Sequence, residues 1–179
     1  MTATALLLVC PVLEPAVADE RARLDRAAQD GVPAHLTVIY PFKLLERVTE
    51  DDHHRLEALA AGCAPFSVVV GRSGWFGDEV VYLAPDDPEP VALLIRRVWS
   101  AFPDFPPYGG SFADPVPHVT VGHAHPLAEL QAAERSIVAR LPLTQRLDHL
   151  ELWAGPDPEG RTEPEPWRRI RDYPLDRPA

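Results

Sequence analysis

Two tripeptides, His35-Leu36-Thr37 and His118-Val119-Thr120, hold the residues of this chain whose types and spacing could do chemistry. Imidazole titrates near neutrality, so of two histidines facing one space, one can take a proton while the other gives one. A hydroxyl two residues further along can donate a hydrogen bond to an oxygen on which charge builds. These groups suit displacement at phosphorus. One His removes a proton from water or a hydroxyl, the other protonates the departing oxygen, and Thr37 and Thr120 hold the non-bridging phosphoryl oxygens; no metal is required. The two His-x-Thr tripeptides lie 83 positions apart in 179 residues that include 7 histidines. By chance about 0.3 occurrences are expected, so the pair is a signal where one copy is not.

The elements around them must aim both pairs into a common cleft. His35-Leu36-Thr37-Val38-Ile39-Tyr40 and His118-Val119-Thr120-Val121 are apolar runs of strand character. Side chains alternate faces along a strand, so the His and Thr of each tripeptide share one face, and Leu36, Val38, Val119 and Val121 face a core. Other strands are expected at about 4–10, 66–75, 79–84, 143–153 and 166–172, with 66–75 and 79–84 joined as a hairpin near Gly77-Asp78. Helices are expected at about 16–29, 50–61, 89–101 and 126–140. The first ends before Gly31, the second opens after Thr49 with acidic residues in its first turn, and the third carries Val91, Leu94, Ile95 and Val98 at helical spacing. Strands interleaved with helices, without long parallel regularity, indicate an α+β fold with antiparallel sheets. Helix, His-x-Thr strand, helix and strand pair recur in the same order in both halves of the chain. Residues 1–179 therefore read as one domain of two similar lobes, each supplying one motif.

Composition narrows the function. The formal net charge of −10, with Lys43 the one lysine among 17 basic residues, argues against an extended nucleic-acid duplex as partner. A small anion in a local pocket remains compatible. Cys10 and Cys63 lie in apolar surroundings without metal-type spacing and read as buried free thiols, as in a reducing cytoplasm. The run 5–10 is too short to cross a membrane and reads as the first strand rather than a leader. A monomer without a cofactor is expected. The 21 prolines stiffen connections such as the Pro- and aromatic-rich segment 103–117.

The pair His35-Leu36-Thr37-Val38 and His118-Val119-Thr120-Val121 resembles the twin signature of the two-histidine phosphoesterase superfamily, and within it the 2′-5′ RNA ligase-like, cyclic phosphodiesterase branch. Ile39-Tyr40-Pro41-Phe42 is also similar to the continuation in that branch. The resemblance implies a bilobal, pseudo-two-fold fold: two antiparallel sheets flanking a central groove, with helices outside. It implies hydrolysis of a 2′,3′-cyclic phosphate on a nucleotide or RNA end, or of a related 2′-5′ phosphodiester, without a metal. On this resemblance His35 and His118 match the catalytic pair, and Thr37 and Thr120 the phosphate-contacting hydroxyls. Some members that act on RNA ends place an arginine five residues after the second histidine; His123 stands there in this chain, as a weaker substrate contact.

Other features carry less. His123 and His125 could join His118 around a metal, but strand parity puts them on the opposite face unless the strand bulges. Tyr108 and Phe112, with Phe105, could stack on a base, and Gly109-Gly110 could hinge a covering loop. His53-His54 reads as a solvated helix face, the four tryptophans as packing residues, and Glu159-Gly160-Arg161 as a turn. Two rival readings stand beside the phosphoesterase: a non-catalytic module binding a nucleotide or phosphometabolite in the same groove, and a metal-dependent hydrolase.

Overall fold

The computed structural model of the chain describes residues 2–156 and 166–176. Glu159-Gly160-Arg161 lies outside the described residues. Two four-stranded antiparallel sheets form the frame. The first runs in the order β2 (His35–Ile39), β1 (Thr2–Val9), β7 (His149–Pro156), β8 (Arg168–Pro174). The second runs β5 (Val119–His123), β4 (Val80–Pro85), β3 (Phe66–Phe76), β6 (Leu143–Leu147). Each sheet keeps its His-x-Thr strand, β2 or β5, at an edge, and the two edges lie against each other. The fold is the expected α+β, pseudo-two-fold arrangement.

The lobes do not follow the halves of the chain, which corrects the expected order. The first sheet is built from the two ends of the polypeptide, because β7 pairs along β1 from Thr2↔Pro156 to Leu7↔Glu151. The second takes the middle, so the hairpin β3–β4 belongs with β5 rather than with β2. The single strand expected over 143–153 is two strands. β6 pairs with β3 as far as Leu147, the chain turns past Asp148, and β7 joins the other sheet. The inward positions change parity across that turn, from Gln145 and Leu147 to Leu150 and Leu152, a one-residue shift that a single strand over 143–153 cannot carry.

Among the described residues five α-helices complete the fold: α1 (Glu14–Leu24), α2 (Arg26–Gln29), α3 (Glu50–Ala61), α4 (Glu89–Ala101) and α5 (Leu127–Val138). A reciprocal Thr49–Asp52 box opens α3 where the acidic first turn predicts it. The helix expected over 16–29 is broken at Asp25, which is extended at φ −125°, ψ 115°. Its carboxylate explains the break. Oδ1 accepts the Ala27 N–H at 3.1 Å and caps α2, while Oδ2 takes the Arg21 guanidinium at 2.7 and 3.0 Å.

Both sheets share one core, in which Leu6, Leu8, Leu36 and Val38 of the first meet Val68, Val81, Val119 and Val121 of the second, closed by Leu24, Leu56, Val98 and Leu130 from the helices. A fully buried side chain of this kind contributes about 1.5–3 kcal/mol. The alternation therefore holds: Leu36, Val38, Val119 and Val121 are buried, and His35, Thr37, His118 and Thr120 are half-buried on the other face. A Cβ on Gly122 of β5 would come within 2.6 Å of Leu130 Cδ2 and 3.0 Å of Leu24 Cβ, so glycine there lets α1 and α5 lie close on the strand. Cys10 and Cys63 are free and buried. His53 is not the solvated group expected, since its Nδ1 hydrogen-bonds the Tyr173 hydroxyl at 2.7 Å and ties α3 to β8; His54 is exposed. Among the described residues no helix is long and apolar enough to cross a membrane.

Candidate active site

Each motif carries the same irregularity at its fourth position. Pairing of β2 with β1 proceeds from Val9↔His35 to Leu7↔Thr37, then skips Val38 and resumes at Leu6↔Ile39. Pairing of β5 with β4 proceeds through Leu83↔Val119 and Tyr82↔Thr120, skips Val121 and resumes at Val81↔Gly122. A bulge inserts one residue and resets the alternation of faces. Val38 and Val121 stay buried, and the fifth residue after each histidine, Tyr40 or His123, turns back to the groove. This corrects the parity argument that set His123 on the face opposite His118: the bulge brings it to a cavity shared with His35.

The two imidazoles are held alike. His35 Nδ1 lies 2.7 Å from the carbonyl of Pro33, and His118 Nδ1 lies 2.7 Å from the carbonyl of Val116, in each case two residues back. A carbonyl only accepts, so each ring carries its proton on Nδ1 and offers the Nε2 lone pair to the groove. Burial holds both rings below the ordinary histidine pKa. For His35 the value falls to about 4, with the buried Arg21 charge the next cause after burial and the nearby His118 a smaller one. His118 is lowered as well, by burial.

Tyr108 links the two half-sites. It lies in a 3-10 turn, Pro107–Gly110, of the segment 103–117, at φ 53° in the left-handed region that non-glycine residues seldom adopt. Its ring stacks on His118, with centroids 6.1 Å apart and planes at 18°, and its hydroxyl shares a hydrogen bond with the Thr37 side chain. Burial raises the Tyr108 pKa, so the phenol is neutral. Phe112 stands outside the groove, 59 % exposed and edge-on to Tyr108 at 5.8 Å. Phe105 packs on Phe42 at 5.3 Å instead.

A cavity of about 420 Å³ opens beside His35. His35, Thr37, Tyr108 and His123 form one side of it, and Tyr40, Trp167, Ala5, Leu7 and Val32 form an apolar side, with Asp25, Arg26, Ala27 and Asp30 completing the wall. His118 and Thr120 are not on this wall; His118 lies against the ring of Tyr108. The site thus assembles His35, Thr37, Tyr108 and His123 from the expected residues, with His118 adjoining, and leaves Phe112 outside. Tyr40 and Trp167, read from sequence as a motif continuation and as packing, are additions. The backbone N–H of Trp167 donates to the Asp30 carbonyl at 2.7 Å, and its ring sits on Gly155, where a Cβ would come within 2.3 Å of the indole. Its edge meets Tyr40 at 6.0 Å. The one sequence signal for this seating is a glycine near the end of β7, and a lone glycine has many meanings.

Among the described residues no group of three or more His, Cys, Asp or Glu side chains is arranged to hold a metal ion, so His118, His123 and His125 do not converge.

This geometry meets its relatives at the level of family and fold. The model of the 2′-5′ RNA ligase superfamily matches residues 10–158, and the chain belongs to that superfamily of two-histidine phosphoesterases. E. coli LigT complexed with NADP+ is similar over 97 % of each chain, with 18 % identity and a TM-score of 0.58. The same protein complexed with 3′-AMP gives 18 % identity over 97 % of this chain and 98 % of that one, with a TM-score of 0.57. TT0787 of Thermus thermophilus gives 15 % identity over 98 % of each chain and a TM-score of 0.62. At such identities the likeness is one of fold. None of the curated proteins matches this chain.

Proposed function

We propose that this phosphoesterase hydrolyses the cyclic phosphodiester of a 2′,3′-cyclic nucleotide, free or at an RNA end, or a related 2′-5′ phosphodiester, by acid–base transfer between His35 and His118. His35 Nε2 accepts a proton from water as the water oxygen attacks phosphorus. The bond from phosphorus to one ribose oxygen breaks, and that oxygen takes a proton from protonated His118 Nε2. The product is a nucleoside monophosphate. After turnover the proton gained by His35 is lost and His118 regains one, so the pair returns to its starting state. His35 suits the base because burial and Arg21 keep it unprotonated down to about 4. His118 is lowered by burial rather than by a neighbouring charge, and a bound phosphate anion raises its proton affinity. Thr37 and Thr120 donate to the non-bridging oxygens, and no step passes through a metal.

The single observation that carries this reading is the matched pair of imidazoles, each fixed by a 2.7 Å bond to the carbonyl two residues back and each at the head of a bulged edge strand, the two strands lying against each other. The cavity beside His35 supports a nucleotide as the substrate class, since Tyr40 and Trp167 offer ring surface to a base. Crystals of LigT with 3′-AMP and with NADP+ point the same way. The test is product analysis in the presence of EDTA with a panel of 2′,3′-cyclic mononucleotides and 2′-5′ dinucleotides. A monophosphate from a cyclic nucleotide supports the proposal. Turnover abolished by the chelator turns the reading to a metal-dependent hydrolase, and binding without product turns it to a nucleotide-binding module.

A further inference from the structure

Arg21 is a charge placed where no solvent reaches it. The side chain is 1 % exposed, on the face of α1 that packs against β5. Its donors reach both half-sites. Nε donates to the Thr120 carbonyl at 3.2 Å, within the second His-x-Thr tripeptide, and to Asp25 Oδ2 at 3.0 Å. Nη2 donates to Asp25 Oδ2 at 2.7 Å and to the Val32 carbonyl at 3.2 Å, three residues before His35. Nη1 lies 3.7 Å from Glu14 Oε2, and that same oxygen accepts the N–H of Ala34, the residue next to His35.

Stability alone does not call for such a group, because an apolar side chain of similar volume commonly replaces a buried ion pair without loss. What a guanidinium offers is a rigid planar fork whose donors engage several acceptors at once. Here those acceptors belong to the approach to one catalytic strand and to the middle of the other.

We infer that Arg21 is a positioning residue that clamps the His35 approach and the His118 strand to one guanidinium plane, setting the separation across which the two imidazoles act and holding a fixed positive charge behind the approach to His35. The role rests on the acid–base reading above. The Arg21 charge is a cause of the low His35 pKa second only to burial, and Asp25 opposes it. The other ionisable groups around this cluster are Glu14 on the same helix, Cys10 beyond β1, His118 across the groove, and Arg26, Asp30 and His123 on the cavity wall.

The experiment compares R21M, R21K and D25N by thermal melting, by NMR titration of the His35 and His118 rings, and by the pH dependence of kcat and KM on a 2′,3′-cyclic mononucleotide. In R21M the His35 pKa is expected to rise by about one pH unit or more, and in D25N to fall, since the charge removed is of opposite sign. R21K keeps the charge but not the fork. Its His35 titration stays near that of the wild type while kcat drops about tenfold or more with little change in KM, because misplacement of reacting groups by an ångström costs up to about 100-fold. Folded R21M with His35 titration unmoved overturns the inference, as does R21K with wild-type kcat. If R21M fails to fold, D25N and R21K decide: an unchanged His35 titration in D25N, or full turnover in R21K, overturns it. The titration is independent of turnover. Shifts of the stated sign in a protein that cleaves none of the cyclic nucleotides leave Arg21 as the determinant of His35 and remove the proposed reaction instead.

Discussion

His35 and His118 share a backbone hydrogen bond, a tautomer and a place at the head of a bulged edge strand, yet their neighbours differ. Beside His35 lie the buried Arg21 guanidinium and the cavity. Around His118 lie rings: Phe76 edge-on at 4.9 Å, Tyr82 at 5.3 Å and Tyr108 stacked at 6.1 Å. The five-residue echo diverges too, with Tyr40 following one motif and His123 the other. A pseudo-two-fold scaffold places two chemically equal groups on adjoining edge strands. What surrounds each then makes them unequal, and inequality favours the one arrangement of a single shared proton over its mirror image.

The sharpest way to break the comparison is to remove one ring at a time. His35→Ala and His118→Ala are each expected to lower turnover of a cyclic mononucleotide by about 10²–10⁴-fold. The double variant should lose little more than either single, because the two rings act as a unit. Circular dichroism and melting curves check that both remain folded. If one single variant keeps more than a tenth of wild-type turnover, the two half-sites are not partners. The pH profile distinguishes the roles: a low-pH limb follows His35 and a high-pH limb follows His118, so the optimum falls on the acid side of neutrality.

Much of this frame is legible in the sequence, and the reasons separate what is from what is not. Apolar alternation gives the faces of β2 and β5, and helical spacing gives α3 and α4 with their limits. Both signals are local. The bulges at Val38 and Val121 are hidden, because an inserted valine looks like any other strand residue until its partner strand is known. That is why parity alone puts His123 on the wrong face. The switch of sheets after Leu147 leaves one trace, the change of apolar parity between Leu147 and Leu150, which a single strand read over 143–153 passes over. Nothing in the sequence singles out Arg21 from the other arginines of its helix, since burial of a charge depends on carbonyls supplied by two distant segments. Trp167 reads only as packing, for its place on the cavity wall depends on Gly155 and Asp30.

A second comparison asks how differently the two rings titrate in the folded protein. His35 stays neutral to about 4 in the native state, against an ordinary value of 6.5. Between those values the unfolded chain binds a proton that the folded chain refuses, so stability is fully present above about 6.5 and is lost as pH falls toward 4. From pH 7 to pH 5 this amounts to at most about 2 kcal/mol for the half-buried ring. Urea unfolding of the wild type and His35→Gln at both pH values isolates the effect as the extra loss in the wild type. The same pair of measurements on His118→Gln should give a loss of the same sign and smaller size. Equal losses would mean that Arg21 does not set the two rings apart.

The smallest effect belongs to the residue that joins the two half-sites. Tyr108 stacks on His118 and hydrogen-bonds Thr37 through its hydroxyl, so Tyr108→Phe preserves the stack and cuts the link. A single neutral hydrogen bond contributes about 0.5–1.5 kcal/mol net, which is about two- to tenfold in rate. If the hydroxyl aims Thr37 at the phosphoryl oxygen, kcat falls by that factor while the His118 titration is unchanged, because the ring against it remains. If Tyr108 instead holds the site closed before substrate arrives, cutting the link eases entry and KM falls with kcat preserved. Steady-state kinetics on Tyr108→Phe, with the His118 ring followed by NMR, separates the two. A fall in kcat joins Tyr108 to the His35 side through Thr37, whereas a shifted His118 titration makes it part of the second half-site.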